Sequence, residues 1–443
     1  MPSPARATAF DILLRVETQD SYAGELLHSG RLERLSPEDR ALCTELVMGT
    51  LRWQSQLDAA IAEFSSKPAT RLDPEVRIAL RLAAYQMQHL GGVPARAAVN
   101  ESVELVKSAR KRSAAPFVNA VLRKLAAAPR DSSQLPSDKT LHPFAVKYAH
   151  PAWLVERWTD RYGYASAEQV CRYDQQVAPA ALRLVDPAVE SELAQSGIHL
   201  DPGAILSKAR RAKASDIVRT AAFREGRVAI QDEASQLVAL LVGRGARILD
   251  CCAAPGGKTA ILAQRNPESA IIAADLHSHR ARLMRDLLHR AGRKVHVLAA
   301  DAIHLPMAMA FDRILADVPC SGTGTLARHP EIKWRLRPED LADLHHRQVA
   351  ILAAALEQLE LGGRLVYSSC SLEPEECENV INEVLNQRPA WRVAPCADEL
   401  QRLQAAGELA YSNIDLLPAG PYLRTLPGVH PCDGFFAALI ERA

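Results

Sequence analysis

The amino-acid sequence lacks any long apolar run. No stretch of its 443 residues reaches the roughly 20 consecutive apolar residues that a helix needs to cross a bilayer. The first ten residues, MPSPARATAF, also lack the apolar core behind a basic flank that marks an export signal. We therefore expect a cytoplasmic protein without a membrane partner. Because 48% of the residues are hydrophobic we expect it to be folded, and its length favours two or three domains.

Paired cysteines are also missing. The nine cysteines are an odd number, and no two of them have the CxxC spacing that is typical of zinc or redox sites. This pattern predicts reduced thiols and no bound metal. An excess of charge of one sign is absent as well. The formal net charge of +1 excludes a uniformly basic coat for nucleic acid, although it leaves local patches open.

One basic patch lies in the segment 107–130, KSARKRSAAPFVNAVLRKLAAAPR, which contains seven Lys or Arg residues and no acidic residue. Such a segment suits a phosphate backbone, whereas a solvated helix face is the alternative interpretation. A second basic segment, SKARRAK, contains Lys208, Arg210, Arg211 and Lys213, and a merely solvated loop is its favoured interpretation. The candidate RNA-contact residues of the first segment are Arg110, Lys111, Arg112, Arg123 and Lys124.

The apolar pattern divides the chain into four segments. Residues 1–135 are helical throughout, and in EVRIALRLAAYQMQHL the apolar positions from Val76 to Met87 form one stripe of an amphipathic helix. Residues 136–149, rich in Pro, Ser and Asp, predict a linker. Residues 150–235 predict a small α/β subdomain, for which we expect RNA binding. Between 236 and 443, short apolar strands alternate with helices, which predicts a mostly parallel sheet with helices on both faces.

Four of these predicted strands end in an aspartate: Asp250, Asp275, Asp301 and Asp317. Ligands of such sheets bind at the carboxyl ends of the strands. The first strand continues into AAPGGKT, which lacks the first glycine of a P-loop and the G-x-G-x-x-G of a dinucleotide site. An adenosine-bearing ligand without a pyrophosphate fits this edge. S-adenosylmethionine is such a ligand, with Asp275 at the ribose, Asp301 at the adenine amine and the glycine turn at the methionine end. A helix N-cap is the alternative role of any single aspartate.

Two thiols also follow apolar strands, Cys320 in DVPCSGTG and Cys370 in YSSCS. Carbon 5 of a cytosine becomes nucleophilic enough to take a methyl group when a thiolate adds to carbon 6. A carboxylate such as Asp317 would hold the base, and a second thiol, or a water that it positions, would then remove the proton from carbon 5. Spacing does not decide which thiol attacks, and a small apolar filler is the alternative role of either cysteine.

Five motifs give the chain a more specific resemblance. They are DCCAAPGGKT at 250–259, DVPCSGTG at 317–324, RHPEIKW at 328–334, YSSCSLEPEE at 367–376 and DGFFAALI at 433–440. With them the whole chain resembles the RNA cytosine-5 methyltransferases of the NOL1/NOP2/Sun group, and within it the bacterial members that methylate 16S ribosomal RNA. The helical first segment, with PARAAVNESVELVKSA and APFVNAVLRKL, resembles a NusB-type RNA-binding domain. The resemblance implies a C-terminal Rossmann-like class I methyltransferase domain with a mostly parallel, seven-stranded sheet.

The resemblance also implies a role for each site residue. Cys370 is expected to be the nucleophile, Cys320 to assist product release, and Asp317 to orient and activate the base. S-adenosylmethionine is the implied cofactor and 16S ribosomal RNA the implied partner of a monomer without an obligate protein partner. Ser369 and Cys251 stand where Thr and Ala are commoner in the family, but neither removes a group that the chemistry needs. The implied cofactor-site residues are Cys252, Ala253, Ala254, Pro255, Gly256, Gly257, Lys258, Asp275, Asp301 and Asp317.

Two alternatives remain open. The same chemistry on transfer RNA or another RNA is one of them, because the catalytic motifs do not encode the substrate. A catalytically silent, RNA-binding assembly factor is the other. Both thiols, Asp317 and the PGGK turn are present, which argues against a loss of catalytic activity.

Overall fold

The computed structural model describes residues 2–128, 143–213, 217–307 and 309–442. Many of its helices begin where the sequence offers a start signal. Helix α3, for example, opens with Pro37 after Ser36, whose hydroxyl accepts a hydrogen bond from the Asp39 backbone N–H. The helices are α1 (Pro4–Thr18), α2 (Ala23–Leu27), α3 (Pro37–Arg52), α4 (Gln54–Phe64), α5 (Pro74–His89), α6 (Ala95–Ser108), α7 (Ala115–Ala127), α8 (Pro143–Lys147), α9 (Ala152–Tyr162), α10 (Tyr164–Asp174), α11 (Val189–Gln195), α12 (Ala221–Arg224), α13 (Glu233–Leu241), α14 (Gly257–Arg265), α15 (Ser278–Arg290), α16 (Ile332–Arg335), α17 (Asp340–Glu357), α18 (Glu378–Asn386) and α19 (Cys396–Ala405).

The strands are confined to the second part of the chain. They are β1 (Ala180–Leu184), β2 (Asp201–Pro202), β3 (Ala209–Ala212), β4 (Val228–Ile230), β5 (Arg247–Asp250), β6 (Ala270–Asp275), β7 (His296–Ala299), β8 (Phe311–Asp317), β9 (Leu359–Ser369), β10 (Trp391–Ala394), β11 (Pro418–Ala419), β12 (Tyr422–Thr425) and β13 (Phe435–Arg442). Among the described residues, no helix is both long enough and apolar enough to span a membrane.

The described chain divides into two compact units, and the first is helical. It comprises Met1–Val177 and Leu326–Arg335. Its core is built from the apolar faces of α1, α3, α5, α6 and α7. The stripe predicted in α5 is confirmed, because Val76, Leu80, Ala83 and Met87 are all buried there.

The helical unit extends beyond the boundaries predicted for the first segment. The linker predicted at 136–149 lies partly outside the described residues, and its described part contains α8. Residues 150–177, expected in the small α/β subdomain, form α9 and α10 and belong to this unit. Polar contacts explain the difference, since Gln56 Nε2 donates to the carbonyls of Val146 and Lys147, each at 2.9 Å. Gln175 Nε2 likewise donates to the carbonyl of Arg52 at 3.2 Å.

A segment from much later in the chain completes the helical unit. Within it, α16 binds the backbone at the end of α3, where Lys333 Nζ donates to the Arg52 carbonyl at 3.1 Å and Trp334 Nε1 to the Leu51 carbonyl at 2.6 Å. Lys333 is almost completely buried, and burial lowers its pKa to about 7. The RHPEIKW motif, which sequence reasoning left without a role, therefore supplies structural contacts to this unit.

The second unit contains both sheets and comprises Ala178–Thr325 and Leu336–Ala443. The smaller sheet has the strand order β2-β3-β1-β4, and all of its pairings are antiparallel. It lies within the segment for which a small α/β subdomain was predicted. The basic segment expected to be a loop is in part strand β3 of this sheet.

The larger sheet contains the five strands predicted from the apolar runs of the C-terminal segment. They run parallel in the order β7-β6-β5-β8-β9. Beyond β9 the sheet turns antiparallel, so it is mixed and has nine strands rather than seven. The reason is the length of β13, which pairs along one edge with β9 and shares its other edge between β12 and β10.

Helices cover both faces of the larger sheet, as predicted. Residues of α13, α14 and α19 share one buried cluster with the sheet, and residues of α17 and α18 share another. Because β5, β6 and β8 are parallel, their last residues, Asp250, Asp275 and Asp317, lie at the same edge. The chain therefore gathers these acids at one edge, as the sequence predicted.

Candidate active site

A buried acid, Asp250, holds the glycine turn that follows β5. Asp250 is 1% exposed and accepts a hydrogen bond from Thr259 Oγ1 on α14 at 2.7 Å. Burial raises the pKa of Asp250 to about 7. This aspartate is therefore part of the support of the turn.

The turn itself leaves no room for larger side chains. Gly256 has φ +101°, and a Cβ at this position would lie 2.8 Å from Met284 Cγ. The Ala253 N–H donates to the Ala274 carbonyl at 2.8 Å, which ties the turn to β6. Arg280 Nη2 donates to the Ala254 carbonyl at 3.2 Å from α15. These contacts therefore hold the turn in place between β5 and β6.

Asp275 and Asp301 follow β6 and β7 at the same edge. Asp275 is 5% exposed, and its Oδ1 accepts from the His277 N–H at 3.0 Å. Asp301 is exposed, and its Oδ1 accepts from the Ile303 N–H at 3.0 Å. Each acid binds the backbone N–H two residues further on through one oxygen only. Neither is a helix N-cap, the alternative role, because His277 is the N-cap of α15 and a turn, not a helix, follows Asp301. Their roles toward a cofactor stay predictions.

Asp317 is held by two donors at the end of β8. Lys258 Nζ donates to its Oδ2 at 2.7 Å, and Ser368 Oγ donates to its Oδ1 at 2.7 Å. Burial is the largest single influence on the pKa of Lys258 and lowers it, but the charge and hydrogen bond of Asp317, together with Cys370 and Asp250, outweigh burial, and the net shift is upward. The ammonium also lies 5.0 Å from the centre of the Phe435 ring. Sequence reasoning placed Lys258 in the turn but did not foresee this ion pair.

The two thiols meet. The Sγ atoms of Cys320 and Cys370 are 3.2 Å apart, and both side chains are half-buried. The pKa of Cys370 lies well above its ordinary value, chiefly because of the hydrogen bond with Cys320 and because of burial, while Lys258 acts in the opposite direction. The surroundings of Cys370 therefore favour its thiol over its thiolate. All nine cysteines are free, so the two thiols are not joined in a disulfide.

Three of the sequence motifs converge behind the thiols. The Gly324 N–H donates to the Cys370 carbonyl at 2.9 Å, and the Gly434 N–H donates to the Gly324 carbonyl at 2.8 Å. A Cβ on Gly324 would lie 2.3 Å from the Gly434 carbonyl oxygen. The Leu372 N–H donates to Thr323 Oγ1 at 2.8 Å. These contacts explain why DVPCSGTG, YSSCSLEPEE and DGFFAALI occur together in one chain.

Sequence reasoning missed Glu376, which is completely buried close to both thiols. It accepts hydrogen bonds from Ser321, Ser371 and Gln348. The residue stands in the quoted motif YSSCSLEPEE, but no spacing rule singles it out. Its partners come from three separate parts of the chain, so their proximity emerges only from the fold.

The predicted RNA-contact residues differ in how free their charges are. Lys111 pairs with Asp73 at 2.7 Å and with Glu75 at 3.8 Å, so part of its charge is already neutralised. The other four residues are exposed. We call them the exposed basic set: Arg110, Arg112, Arg123 and Lys124.

The second basic segment has structural partners. Arg210 pairs with Glu190 at 2.7 Å, and Arg211 pairs with the buried Glu233 at 2.9 Å. Lys208 is 81% exposed, with Glu408 at 3.6 Å. These pairs favour an architectural role for Arg210 and Arg211 over RNA contact. In the described part of the chain, no group of three or more His, Cys, Asp and Glu side chains is arranged to hold a metal ion.

Known proteins match both the N-terminal and the C-terminal parts of the chain. Residues 238–441 match the profile of the family described as 16S rRNA methyltransferase RsmB/F, and residues 3–127 match the NusB family. A probable ribosomal RNA small subunit methyltransferase B from Bacillus subtilis is 34% identical over 87% of this chain and 88% of its own length. The ribosomal RNA small subunit methyltransferase B of Vibrio cholerae is 32% identical over 93% and 91%. The crystal structure of PH0851 is similar in fold, with a TM-score of 0.82, 23% identity and coverage of 100% and 99%.

Proposed function

Because the chain belongs to the RsmB/F family of 16S ribosomal RNA methyltransferases, we propose that it transfers a methyl group from S-adenosylmethionine to carbon 5 of one cytosine in 16S ribosomal RNA. The observation that carries this proposal is the pair of free thiols, 3.2 Å apart, next to Asp317 and its partner Lys258. Methyl transfer to a nitrogen or an oxygen needs no thiol. Carbon 5 of cytosine does need one, because it becomes nucleophilic only after a thiolate has added to the ring.

The strand-end acids and the turn fit S-adenosylmethionine. The turn carries no side chain at Gly256 and Gly257. Oδ2 of Asp275 accepts no hydrogen bond from the described residues, and Arg280 Nη1 lies 4.0 Å from it. We assign Asp275 to the ribose hydroxyls and Asp301 to the adenine amine. We assign the turn at residues 252–258 to the methionine end. When bound, the cofactor supplies an electrophilic methyl group on a sulfonium.

Cys370 is the proposed nucleophile toward carbon 6 of the base. Because the pKa of its thiol is raised, the thiol must lose its proton on attack, and N3 of the base gains one in the same step, so the protons balance. The Lys258 ammonium favours the thiolate, since it is the group that lowers the pKa of Cys370. This electrostatic link to Lys258 supports Cys370 in the role of nucleophile that the family resemblance implies.

Asp317 is proposed to hold the cytosine. Each of its oxygens accepts one hydrogen bond, from Lys258 and Ser368, and each carboxylate oxygen has a second lone pair. Asp317 can therefore stay fixed while it accepts hydrogen bonds from the protonated N3 and from the exocyclic amine. These bonds strengthen as positive charge develops on the ring, so they stabilise the adduct.

Cys320 is proposed to assist release of the product. After methyl transfer, the proton on carbon 5 must leave before the bond between carbon 6 and Cys370 can break. Cys320, or a water that it positions, is the proposed base. The distance of 3.2 Å between the two Sγ atoms supports this assignment, because a base at Cys320 would lie next to the bond that must break.

The exposed basic set is proposed to contact the phosphate backbone of the RNA, and it lies in the part of the chain that matches the NusB family. We further propose RNA binding for residues 1–135 and for the small sheet within 150–235. The segment 236–443 would carry the methyl transfer.

The test is to incubate the full chain with S-adenosylmethionine carrying a tritiated methyl group and with 16S ribosomal RNA, either protein-free or in partly assembled subunits. Nuclease digestion and mass spectrometry should identify 5-methylcytidine at a single position. Label in transfer RNA but not in 16S RNA would instead support the same chemistry on another substrate. Failure to bind S-adenosylmethionine in a calorimetric titration would support a silent assembly factor.

A further inference from the structure

We propose that Glu376 is a positioning residue that sets the distance between the two thiols. Its carboxylate binds the residue that follows each cysteine, Ser321 after Cys320 and Ser371 after Cys370. The consequence for turnover rests on the proposed function, but the effect on thiol geometry does not.

The carboxylate of Glu376 is the common acceptor of four donors. Its Oε1 accepts from the Ser321 backbone N–H at 2.8 Å and from Gln348 Nε2 at 3.0 Å. Its Oε2 accepts from the hydroxyls of Ser321 and Ser371. Because a carboxylate is an acceptor only, its two oxygens can serve all four donors at once. A side chain that carries a donor of its own, such as glutamine, could not accept all four of these hydrogen bonds.

Gln348 extends this anchor to the other side of Cys320. Its Nε2, on α17, also donates to the Pro319 carbonyl at 2.9 Å. The peptide groups before and after Cys320 are therefore both fixed through Glu376. The backbone of Glu376 is fixed as well, because the Tyr367 hydroxyl donates to its carbonyl at 2.8 Å. Gln348, Tyr367 and Glu376 are all completely buried.

A buried carboxylate normally needs a compensating cation. In the described part of the chain, no Lys, Arg or His lies within ion-pair distance of Glu376, and its four hydrogen-bond donors are neutral groups. An apolar side chain would fill this space at a lower desolvation cost. The carboxylate is explained by what it connects, namely the β8 loop with Cys320 and the β9 loop with Cys370.

Other contacts hold the backbone of the same two loops. The Leu372 N–H donates to Thr323 Oγ1 and the Gly324 N–H donates to the Cys370 carbonyl, and neither hydrogen bond involves Glu376. Variants at Glu376 should therefore keep the fold while the thiols themselves gain freedom. This separation makes the proposal testable without RNA.

The probe is phenylarsine oxide, a trivalent arsenical that binds two neighbouring thiols and releases one water. Wild-type protein should bind one equivalent, which should protect Cys320 and Cys370 from alkylation when the sites are mapped by mass spectrometry. Glu376→Ala should weaken arsenical binding about tenfold, the factor expected when hydrogen bonds to a charged group are lost. Glu376→Gln should fall between the two. Glu383→Gln, at a half-exposed glutamate of α18 that pairs with His345, is the matched control and should behave as wild type.

Methyl transfer supplies the second readout. Glu376→Ala should lower kcat about tenfold and leave the KM for RNA within about threefold, because the substrate contacts are unchanged. If Glu376→Ala unfolds, Ser321→Ala takes its place, since it removes only one hydroxyl donor. A folded Glu376→Ala or Ser321→Ala variant that binds the arsenical as tightly as wild type would overturn the proposal. The expected arsenical result, together with no methyl transfer by any protein including wild type, would leave the positioning role standing and refute the proposed function.

Discussion

In the turn between β5 and α14, the loss of unfolding free energy caused by Gly256→Ala can be predicted, and Gly292 provides the comparison. Replacing Gly256 with Ala adds a Cβ in a region of positive φ, +101°, and puts it 2.8 Å from Met284 Cγ. The positive φ alone costs about 1–2 kcal/mol for an L residue. The overlap adds about 1–3 kcal/mol, because Met284 is completely buried and cannot move aside freely. The sum is about 2–5 kcal/mol of unfolding free energy.

Gly292 is the matched control for this prediction. It also has a positive φ, +66°, but a Cβ there would meet nothing within 4 Å. Gly292→Ala should therefore show the conformational cost without the overlap. The difference between the two variants should be about 1–3 kcal/mol in favour of Gly292→Ala, measured by guanidinium denaturation.

The double variant Gly256→Ala with Met284→Ala tests the cause. If overlap with Met284 is responsible, the two changes should be coupled, and the double variant should be more stable than the sum of the single costs implies. Equal unfolding free energies for Gly256→Ala and Gly292→Ala, within about 0.5 kcal/mol, would refute the reasoning. Gly256→Ala should also weaken S-adenosylmethionine binding, because it displaces the turn.

Three further predictions concern charge. Lys258→Met removes the cation that lowers the pKa of Cys370, so alkylation of Cys370 by iodoacetamide at fixed pH should slow about tenfold, and an unchanged rate would contradict the link. Burial raises the folded-state pKa of Asp250 to about 7 from 3.8, so its contribution to stability is complete below about pH 4 and is lost as pH rises through 7. Relative to Asp250→Asn, wild type should therefore lose up to about 4 kcal/mol of unfolding free energy across this range, and parallel stability curves of the two proteins would contradict this. Replacing the exposed basic set with Ala should reduce the slope of log affinity for RNA against log salt concentration by about 3. Lys111→Ala should change this slope little, because Asp73 already pairs with Lys111. Equal slopes in wild type and both variants would remove these residues from the interface.

The features that sequence predicted well are set by local patterns. Strands β5 to β9 are continuous apolar runs, and the acids that end them fall at one edge because parallel strands must align. The helical unit follows in the same way from the periodicity of segments such as α5. Residue types at fixed offsets were sufficient for these features.

The features that sequence missed depend on pairing across long distances in the chain. The strand count was wrong by two, because β10 pairs with an edge of β13 that β12 also uses, and the two-residue β11 adds to β12; no local pattern encodes these pairings. The role of Glu376 depends on Ser321 and Gln348, which are 55 and 28 residues away in the chain. Arg211 was expected to lie in a solvated loop, because its partner, Glu233, belongs to a different element and its pairing cannot be seen in the sequence.

The central claim is that Cys370 attacks the base and Cys320 releases the product. Its most direct test is a denaturing gel of Cys320→Ala and Cys370→Ala, each incubated with S-adenosylmethionine and small-subunit ribosomal RNA. We expect Cys320→Ala to accumulate an RNA adduct that survives denaturation, because attack proceeds and release does not. We expect Cys370→Ala to form none. An adduct with Cys370→Ala alone would reverse the two roles, and the absence of an adduct with either variant would contradict the covalent mechanism.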